Sequence, residues 1–483
     1  MQRWNKKICE KPTTAIRRLK LTAAISICIV IVHLSCLLLV ETRAQEPSTA
    51  TTKPGWRAGA AKVVITPDEW MCMSGYGSRD RPADGKLTDL WAKALALEDG
   101  VGHRAVVITL DLVGIDRTTA DRICTDLANN HGLERSQIMI CCSHTHTGPA
   151  VGGNLGAMLT WRLNEQQRKQ IDDYTDALIE NAVRAAGDAL SRLQSARLTA
   201  GSGRATFAVN RRTNPEAEVP KRRTAGTIAG PSDHDVPVLA VHDAAGVLRA
   251  VLFGYACHAT VLDGFQWSGD YPAFAQIELE RLHPDCIALF WAGCGGDQNP
   301  LPRRTTALAN HYGRRLADSV EAVMLTAAMQ EVCGSMATSY REVDLAFESL
   351  PLPAQLAGDA ESRDPYVASR AKLLLAEIAA GRPLSPTYPY PVACWRLGNE
   401  VRFIALGGEV VVDYALRLKG ELKGRQTWVA GYANDVMAYI PSRRVLSEGG
   451  YEGGGAMVYY GLPAVWSHDV EESIVREVHR QLK

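Results

Sequence analysis

Residues 103–149 open with "HRAVVITLDLVGI" (103–115), continue with "DRTTADRICTDLANNHG" (116–132) and reach "SQIMICCSHTHTGP" (136–149). The first and third stretches contain short apolar runs, which are typical of buried strands. The middle stretch is typical of a helix, and Gly132 is a common type of helix terminator. A strand, a helix and a second strand in this order predict an α/β unit whose second strand runs into the "SHTHTGP" loop.

The same alternation of strands and helices extends along the body, although some strands are joined closely enough to pair as hairpins. We therefore expect an α/β fold: one large domain over 56–483 with mixed β-sheets, flanking helices and candidate sites in strand-end loops. The remaining predicted strands cover 235–243, 248–260, 286–293, 336–347, 392–408 (a hairpin) and 427–435, and the remaining helices cover 164–193, 270–284, 304–330, 364–381 and 409–424, before a loop-like tail at 451–467 and a last helix.

The charge balance excludes some classes of partner. Lys+Arg and Asp+Glu number 53 each, so the formal net charge is zero. This balance gives no electrostatic reason to expect binding to nucleic acid or to an anionic membrane surface.

The N-terminus has the composition of an export signal. Residues 1–20 carry seven Lys or Arg, residues 21–40 contain no charged side chain, and Thr42 and Ala44 are small residues at suitable cleavage positions. We expect a signal peptide over 1–44 and a polar linker over 45–55, so that the body is secreted or periplasmic. The alternative is an uncleaved anchor, since twenty apolar residues are long enough to span a bilayer.

The cysteines favour buried thiols over a metal cluster. Nine of the twelve lie beyond residue 44, most of them in apolar runs, and no C-x-x-C pair occurs. A zinc site made of thiolates is therefore not expected. One or two disulfides stay open as an alternative in an oxidising compartment.

Four features of the sequence contain side chains that could bind a metal ion or take part in catalysis. His144 and His146 are separated by one residue, so strand alternation would place both on one face at a strand end. His258 also follows an apolar strand, Glu409 lies between an apolar run and a predicted helix, and Tyr439 lies in "ANDVMAYIPS". Spacing alone leaves the histidines open between a packed core and a site. It also leaves Glu409 open as an ordinary acid in the first turn of a helix.

The motifs of the body resemble those of the neutral/alkaline ceramidase family, specifically its N-terminal catalytic domain. They are "GAAKVVITP", "SHTHTGP", "AVNRRTNP", "CHATVLDG", "GGDQNP", "ALGGEVVVDY" and "GYANDVMAYIPS", in the family's order over about residues 56–460. The resemblance implies a metal site in the strand-end loops. It implies one Zn²⁺ per chain, held by His144, His258, Glu409 and Tyr439.

The resemblance also implies roles around this metal. His146 would face the substrate and handle the proton, and Arg211 would bind the substrate or the developing oxyanion. Arg212 follows directly, so either Arg211 or Arg212 could align with the family's arginine. Tyr451 matches a later family motif and is expected to lie near the substrate. We expect Asp111 and Asp270 either to orient the histidines or to act as loop caps.

The implied activity is zinc-dependent hydrolysis of the amide bond of an N-acyl lipid, namely ceramide or a related compound, by zinc-activated water. The binding partner would be an N-acyl lipid or another amide, and a lipid substrate would allow peripheral contact with a membrane. Nothing in the sequence indicates the oligomeric state. Asn299 stands where the family has a serine near the substrate carbonyl, and Leu87 stands where it usually has a histidine. The chain is also expected to lack the family's C-terminal β-sandwich domain.

Two other functions fit the same motifs. One is an exported, non-catalytic domain that keeps the fold, with or without the metal. Asn299 favours it because an amide is a poor nucleophile or proton relay, whereas the presence of all four ligand types opposes it. The other is a zinc esterase or phosphoesterase on the same scaffold.

Overall fold

The computed structural model describes residues 55–326 and 329–483. The predicted signal or anchor and nearly all of the predicted linker lie outside these residues. Within them, strands and helices alternate along most of the chain.

The strands and helices have the following bounds in the described part of the chain. The strands are β1 Arg57–Val64, β2 Gly85–Lys86, β3 Trp91–Glu98, β4 Arg104–Leu110, β5 Ile138–Cys142, β6 Gln194–Arg204, β7 Ala208–Asn210, β8 Asp235–Asp243, β9 Leu248–Tyr255, β10 Gln266–Trp267, β11 Ile287–Ala292, β12 Gln298–Pro300, β13 Gln330–Glu331, β14 Met336–Ala346, β15 Thr387–Leu397, β16 Val401–Leu406, β17 Glu409–Val410, β18 Gln426–Ala430 and β19 Tyr439–Ile440. The α-helices are α1 Arg117–His131, α2 Gly156–Leu159, α3 Glu165–Ser191, α4 Val219–Ala225, α5 Asp270–Leu282, α6 Thr306–Met324, α7 Pro353–Asp359, α8 Pro365–Ala379, α9 Asp413–Glu421, α10 Arg443–Glu448, α11 Met457–Tyr460 and α12 Val470–Gln481.

Two mixed sheets form the centre of the fold. The larger has the strand order β11–β9–β8–β6–β1–β3–β4–β5, with β13 beside β6, and the smaller has the order β14–β15–β16–β18. Strands pair in parallel at β4/β5, β9/β11 and β16/β18, and the other pairs within these two sheets are antiparallel. The predicted mixed α/β class is confirmed.

The two sheets pack face to face and helices cover their outer faces. Apolar side chains from both sheets form one core cluster, in which the rings of Trp291 and Phe403 lie 5.1 Å apart. Helices α1, α3, α5 and α6 cover the other face of the large sheet, and α9 and α12 cover that of the small sheet. The result is a four-layer arrangement of helix, sheet, sheet and helix.

Strand β3 shows how sequence produces these layers. Its side chains alternate between faces, as the pleat of a strand requires. Leu95 and Leu97 point into the core between the sheets, whereas Ala92, Ala94 and Ala96 point into the core under the helices. Alanines on α3 also lie in that core, so small side chains let this helix approach the sheet closely.

Gly254 of β9 allows a close approach inside the central core. A Cβ atom at this position would collide with the ring of Trp291 on the neighbouring strand β11. Glycine therefore makes room for a large buried indole between the two sheets.

Several predicted elements need correction. Residues 409–412 precede helix α9 and include β17, and the tail that we expected to be loop-like contains a π-helical turn (Tyr451–Gly455) and α11. The helix predicted over 304–330 covers only Thr306–Met324. Strands β1, β3 and β6 and helix α7 were not predicted, because their runs of small or mixed side chains lack a clear period.

The nine cysteines at positions 72 and beyond are all free thiols, and seven of them are buried. The interpretation as buried thiols thus fits most of them. No α-helix in residues 55–326 and 329–483 is both long and apolar enough to cross a membrane.

Candidate metal centre

The ends of strands from both sheets meet at one edge of the molecule. His144 follows β5, His258 follows β9, and Glu409 follows β16. Isolated backbone bridges join the sheets here, between Cys141 and Ala433 and between Gly293 and Ala430. Side chains that are far apart in sequence therefore point into one buried volume.

The backbone, not strand alternation, brings His144 and His146 together. Strand β5 ends at Cys142, and His144 has the left-handed backbone angle φ = 60°. The expected shared strand face is therefore wrong. The turn at His144 instead brings the two rings into an edge-on contact with Nε2 atoms 3.0 Å apart.

Backbone carbonyl groups orient two of the histidines. His144 Nδ1 lies 2.6 Å from the carbonyl oxygen of Val113, and His258 Nδ1 lies 2.7 Å from that of Gly295. A carbonyl oxygen only accepts hydrogen bonds, so each Nδ1 carries the proton and each neutral ring keeps a lone pair on Nε2. Both Nε2 atoms face the buried centre.

The expectation that Asp111 and Asp270 orient these histidines is not met. Asp111 accepts a hydrogen bond from the backbone N–H of Trp91, and Asp270 accepts from the backbone N–H groups of Leu262 and Tyr271. Burial raises the pKa of each carboxyl group to about 6. Both act as caps of backbone groups, and the Val113 and Gly295 carbonyls take the orienting role.

Glu409 and Tyr439 lie side by side because β17 and β19 pair in parallel with these two residues in register. Glu409 Oε2 lies 3.2 Å from His144 Nε2 and 3.1 Å from His258 Nε2, and Tyr439 Oη lies 3.2 Å from His258 Nε2. Since Glu409 precedes helix α9 by four residues, the interpretation as a helix-start acid is wrong.

The convergence of these atoms requires positive charge. Glu409 Oε2 is buried and makes no hydrogen bond to any described residue, despite its two close histidine nitrogens. A buried carboxylate oxygen facing two nitrogen lone pairs is strongly unfavourable unless a cation lies among them. The two nitrogens and two oxygens are a donor set suited to a metal ion, and they fit one here.

The protonation of the centre also suits a metal. Burial, followed by the charge of Arg211, lowers the pKa of His258 to about 4. Burial raises the pKa of Glu409, but positive charge on the side of His144 and His258 outweighs burial and holds that pKa well below its usual range, so Glu409 is a carboxylate whenever a cation lies at the centre. Both side chains are therefore in the form that binds cations at neutral pH.

His146 lies at the same centre. The ligand atoms of His144, His146 and His258 all lie within 4.8 Å of one another, and all three residues are buried. Burial, followed by the charges of His144 and His258, lowers the pKa of His146 well below its usual value. Gly75, with φ = 97°, packs against the ring where a Cβ atom would lie only 2.6 Å from Nδ1, so Nε2 is the atom that faces the centre.

Arg211 links the centre to its surroundings. Its guanidinium group donates hydrogen bonds to Tyr439 Oη (3.0 Å), Asn299 Oδ1 (3.3 Å) and Glu452 Oε1 (2.7 Å). Arg212 points elsewhere, to the other oxygen of Glu452 at 2.7 Å and to Glu448 at 3.0 Å. The register left open between the two arginines is thus resolved: Arg211 reaches the centre.

Four residues around the centre were not found from the sequence. Tyr432 stacks on His144 with ring centroids 4.1 Å apart, Tyr460 donates a hydrogen bond to Glu409 Oε1, and Arg79 donates one to the carbonyl oxygen of His146. Glu452 is the fourth, through its contacts with both arginines. The only local sequence signals for these residues are the aromatic and glycine residues of "YEGGG", which contains Glu452, and of "YYG", which contains Tyr460.

A cavity of about 770 Å³ opens beside the centre. His146, Arg211, Asn299, Tyr439 and Tyr451 line the part nearest to it. Tyr451 is 47% exposed, and its ring meets that of Tyr439 edge-on at 5.2 Å. Every residue that we expected to contact substrate therefore lies on or beside this cavity.

Fold and site define an α/β protein with a buried candidate metal centre at the edge of two packed sheets. Residues 56–286 match the family model for neutral/alkaline non-lysosomal ceramidase, N-terminal. The neutral ceramidase of Pseudomonas aeruginosa is 25% identical over 503 aligned positions, which cover 88% of this chain and 72% of that protein.

Solved structures agree at the level of the fold. The crystal structure of the Pseudomonas aeruginosa neutral ceramidase superposes with a TM-score of 0.67 at 20% identity, over 89% of this chain and 75% of that one. A ceramidase complexed with C2 also gives 0.67 at 20% identity, over 87% and 74%. The resemblance to the neutral/alkaline ceramidase family is confirmed over residues 56–286, and the solved structures confirm the fold.

The ligand set leads to a prediction about metal content. We expect one bound metal ion per chain in the purified protein and none in His144→Ala or Glu409→Gln, because each variant removes one of the converging donor atoms. The measurement is elemental analysis by mass spectrometry after removal of loosely bound ions.

The control variant is His146→Ala. If His146 lies beside the metal, this variant keeps the ion. Full metal content in His144→Ala would contradict the proposed centre, and loss of metal from His146→Ala would make His146 a ligand.

The buried ion pairs lead to a prediction about stability. Glu452 is 5% exposed and pairs with both Arg211 and Arg212, so Glu452→Ala leaves two partly buried guanidinium groups without their carboxylate. We expect the free energy of unfolding to fall by about 3 kcal/mol. Glu448→Ala removes a carboxylate whose side chain is 45% exposed, so it should cost less than about 1 kcal/mol. Equal losses in urea denaturation would show that the buried network is not the cause.

Proposed function

We propose that the chain is a zinc-dependent amidohydrolase that cleaves the amide bond of an N-acyl compound. The observation that carries the proposal is the partnerless Glu409 Oε2 between two oriented histidine nitrogens, in a buried centre whose neighbours His146 and Tyr439 line an open cavity. The family resemblance supports the reaction type, since the relatives are ceramidases by name.

Zinc is the metal that suits these donors best. Two imidazoles, one carboxylate and one phenol oxygen offer four N and O ligands from His144, His258, Glu409 and Tyr439, and imidazole is a preferred zinc ligand. When bound, zinc would supply Lewis-acid polarisation of the amide carbonyl and lower the pKa of a water molecule. One ion per chain is expected.

His146 is proposed to move the proton. Hydrolysis of an amide needs a base to take a proton from water and an acid to give one to the leaving nitrogen. His146 is neutral because its pKa is lowered by burial, and its Nε2 faces both the centre and the cavity. A neutral imidazole at that position can accept the proton at Nε2 and then return it to the amide nitrogen.

Arg211 and Asn299 are proposed to stabilise negative charge on the former carbonyl oxygen. Both line the cavity, and they lie within hydrogen-bonding distance of each other. Glu452 holds the guanidinium group of Arg211 in place beside the centre. The N–H groups of Arg211 that remain free are therefore already oriented toward the substrate before it binds. Asn299 donates through its amide N–H, a role that does not require the serine of the family.

The substrate is proposed from the relatives and from the cavity. The name of the Pseudomonas aeruginosa protein points to ceramide, and a ceramidase has been solved in complex with C2. We therefore propose that the substrate of this chain is an N-acyl compound. The relatives suggest an N-acyl lipid, and a lipid substrate would imply peripheral contact of the protein with a membrane.

The proposal predicts zinc-dependent release of carboxylic acid. Incubation with N-acyl sphingosines and N-acyl amino acids should release the acid, a chelator should abolish the release, and added zinc should restore it. His146→Ala should keep its zinc but lose about 10²- to 10⁴-fold in kcat, because proton transfer contributes that much.

Three outcomes would point elsewhere. Release that is unaffected by chelator or by His146→Ala would contradict the reaction proposed. Hydrolysis of esters or phosphoesters alone would support the esterase alternative. A zinc-loaded protein without turnover on any substrate would support the non-catalytic alternative.

We also propose that the chain is exported. The basic and apolar N-terminal segment and the small residues at Thr42 and Ala44 support this. The mature protein should begin at Gln45, which N-terminal sequencing of material from an expressing cell would detect. A protein recovered intact from Met1 in the membrane fraction would instead indicate an anchor.

A further inference from the structure

Ion pairs form part of the cavity wall beyond the metal centre. Arg212 pairs with Glu452 (2.7 Å) and Glu448 (3.0 Å), and Arg303 pairs with Glu216 (2.8 Å). All five side chains line the cavity. Its far side therefore presents hydrogen-bond donors and acceptors in fixed positions.

These pairs are anchored but still reach the cavity. The two guanidinium groups are largely buried, whereas Glu216 and Glu448 are exposed enough to meet a ligand. Thr213, which also lines the cavity, adds a further polar side chain to the wall. Such a wall can bind hydroxyl, amine or carboxylate groups through charge-assisted hydrogen bonds.

A long hydrocarbon chain fits this wall poorly. Contact with it would strip water from Glu216 and Glu448 without supplying any replacement hydrogen bond, which costs free energy. Burial of hydrocarbon is favourable only against apolar groups of the wall. Leu301 is the only aliphatic side chain in the lining, and the remaining apolar lining is aromatic.

On these grounds we propose that the substrate is a compact, polar amide, in which the group on nitrogen bears hydroxyl, amine or carboxylate substituents and the acyl group is short. N-acylated amino acids and N-acylated amino sugars share this chemistry. The inference rests on the proposed amidohydrolase function and narrows its substrate class. The Glu216–Arg303 pair then acts as a specificity-determining pair for the polar group.

A lipid would have to use a different surface. A row of aromatic rings leads away from the cavity mouth, from Tyr451 to Tyr459 (centroids 6.1 Å apart), to Tyr366 (4.9 Å) and to Trp161 (6.0 Å). Trp161 at its far end is 47% exposed. An acyl chain would lie along this row. A substitution in the row therefore tests the lipid alternative.

The test compares kcat/KM of the zinc-loaded full chain for three substrates: an N-acetyl amino acid, an N-acetylhexosamine and N-palmitoyl sphingosine in detergent. We expect one of the two polar amides to exceed the ceramide by about 100-fold or more. The ceramide also bears hydroxyl groups, but its long hydrocarbon chains would strip water from the charged wall without replacing the lost hydrogen bonds. Which polar amide is preferred distinguishes the amino acid from the amino sugar.

Two variants separate the surfaces. The double variant Glu216→Leu/Arg303→Leu removes a charge pair without changing net charge, and it should lower kcat/KM for the polar amide about tenfold, mainly through KM. Trp161→Ala should leave that value unchanged. Circular dichroism and zinc content confirm that each variant is folded and loaded.

Higher kcat/KM for N-palmitoyl sphingosine, with loss in Trp161→Ala and none in the double variant, would overturn the substrate class while leaving the amidohydrolase intact. Absence of hydrolysis with all three substrates would overturn both proposals.

Discussion

A buried carboxylate oxygen that faces two imidazole lone pairs is the constraint on which the site depends. Glu409 Oε2 lies 3.1–3.2 Å from His144 Nε2 and His258 Nε2 and has no hydrogen-bond partner in the described chain. Fixed Nδ1–H groups, held by two backbone carbonyls, prevent the neutral rings from turning donors toward it. The arrangement is stable only with positive charge at its centre, and a divalent metal supplies it most directly.

The four-layer fold makes this convergence possible. The two sheets pack face to face, and strand ends from both reach the same edge, so candidate ligands separated by up to 295 positions, His144 to Tyr439, become neighbours. Parallel pairing of β17 and β19 places Glu409 and Tyr439 in register. The Arg211–Glu452–Arg212 network then extends the fixed charges from the metal centre into the cavity wall.

The sequence predicted the fold better than the chemistry. The strand–helix–strand unit at 103–149 was clear because apolar runs and a glycine stop mark each element. Strand β3 was missed because its alanines and leucines, interrupted by Lys93, favour helices over strands in isolation, and pairing within the sheet overrides that preference. Residue spacing alone did not identify the ligands; the family resemblance named His144, His258, Glu409 and Tyr439. The left-handed turn at His144, the capping roles of Asp111 and Asp270 and the part played by Glu452 depend on tertiary contacts, which no local pattern encodes.

X-ray absorption at the zinc edge of the purified protein would show directly whether a metal ion lies among these side chains. We expect one zinc ion with about four nitrogen or oxygen neighbours at about 2.0–2.1 Å and the multiple-scattering pattern of two imidazoles. A sulfur shell near about 2.3 Å would place the metal on the cysteines instead. That result, or a protein that binds no metal, would contradict the centre described here.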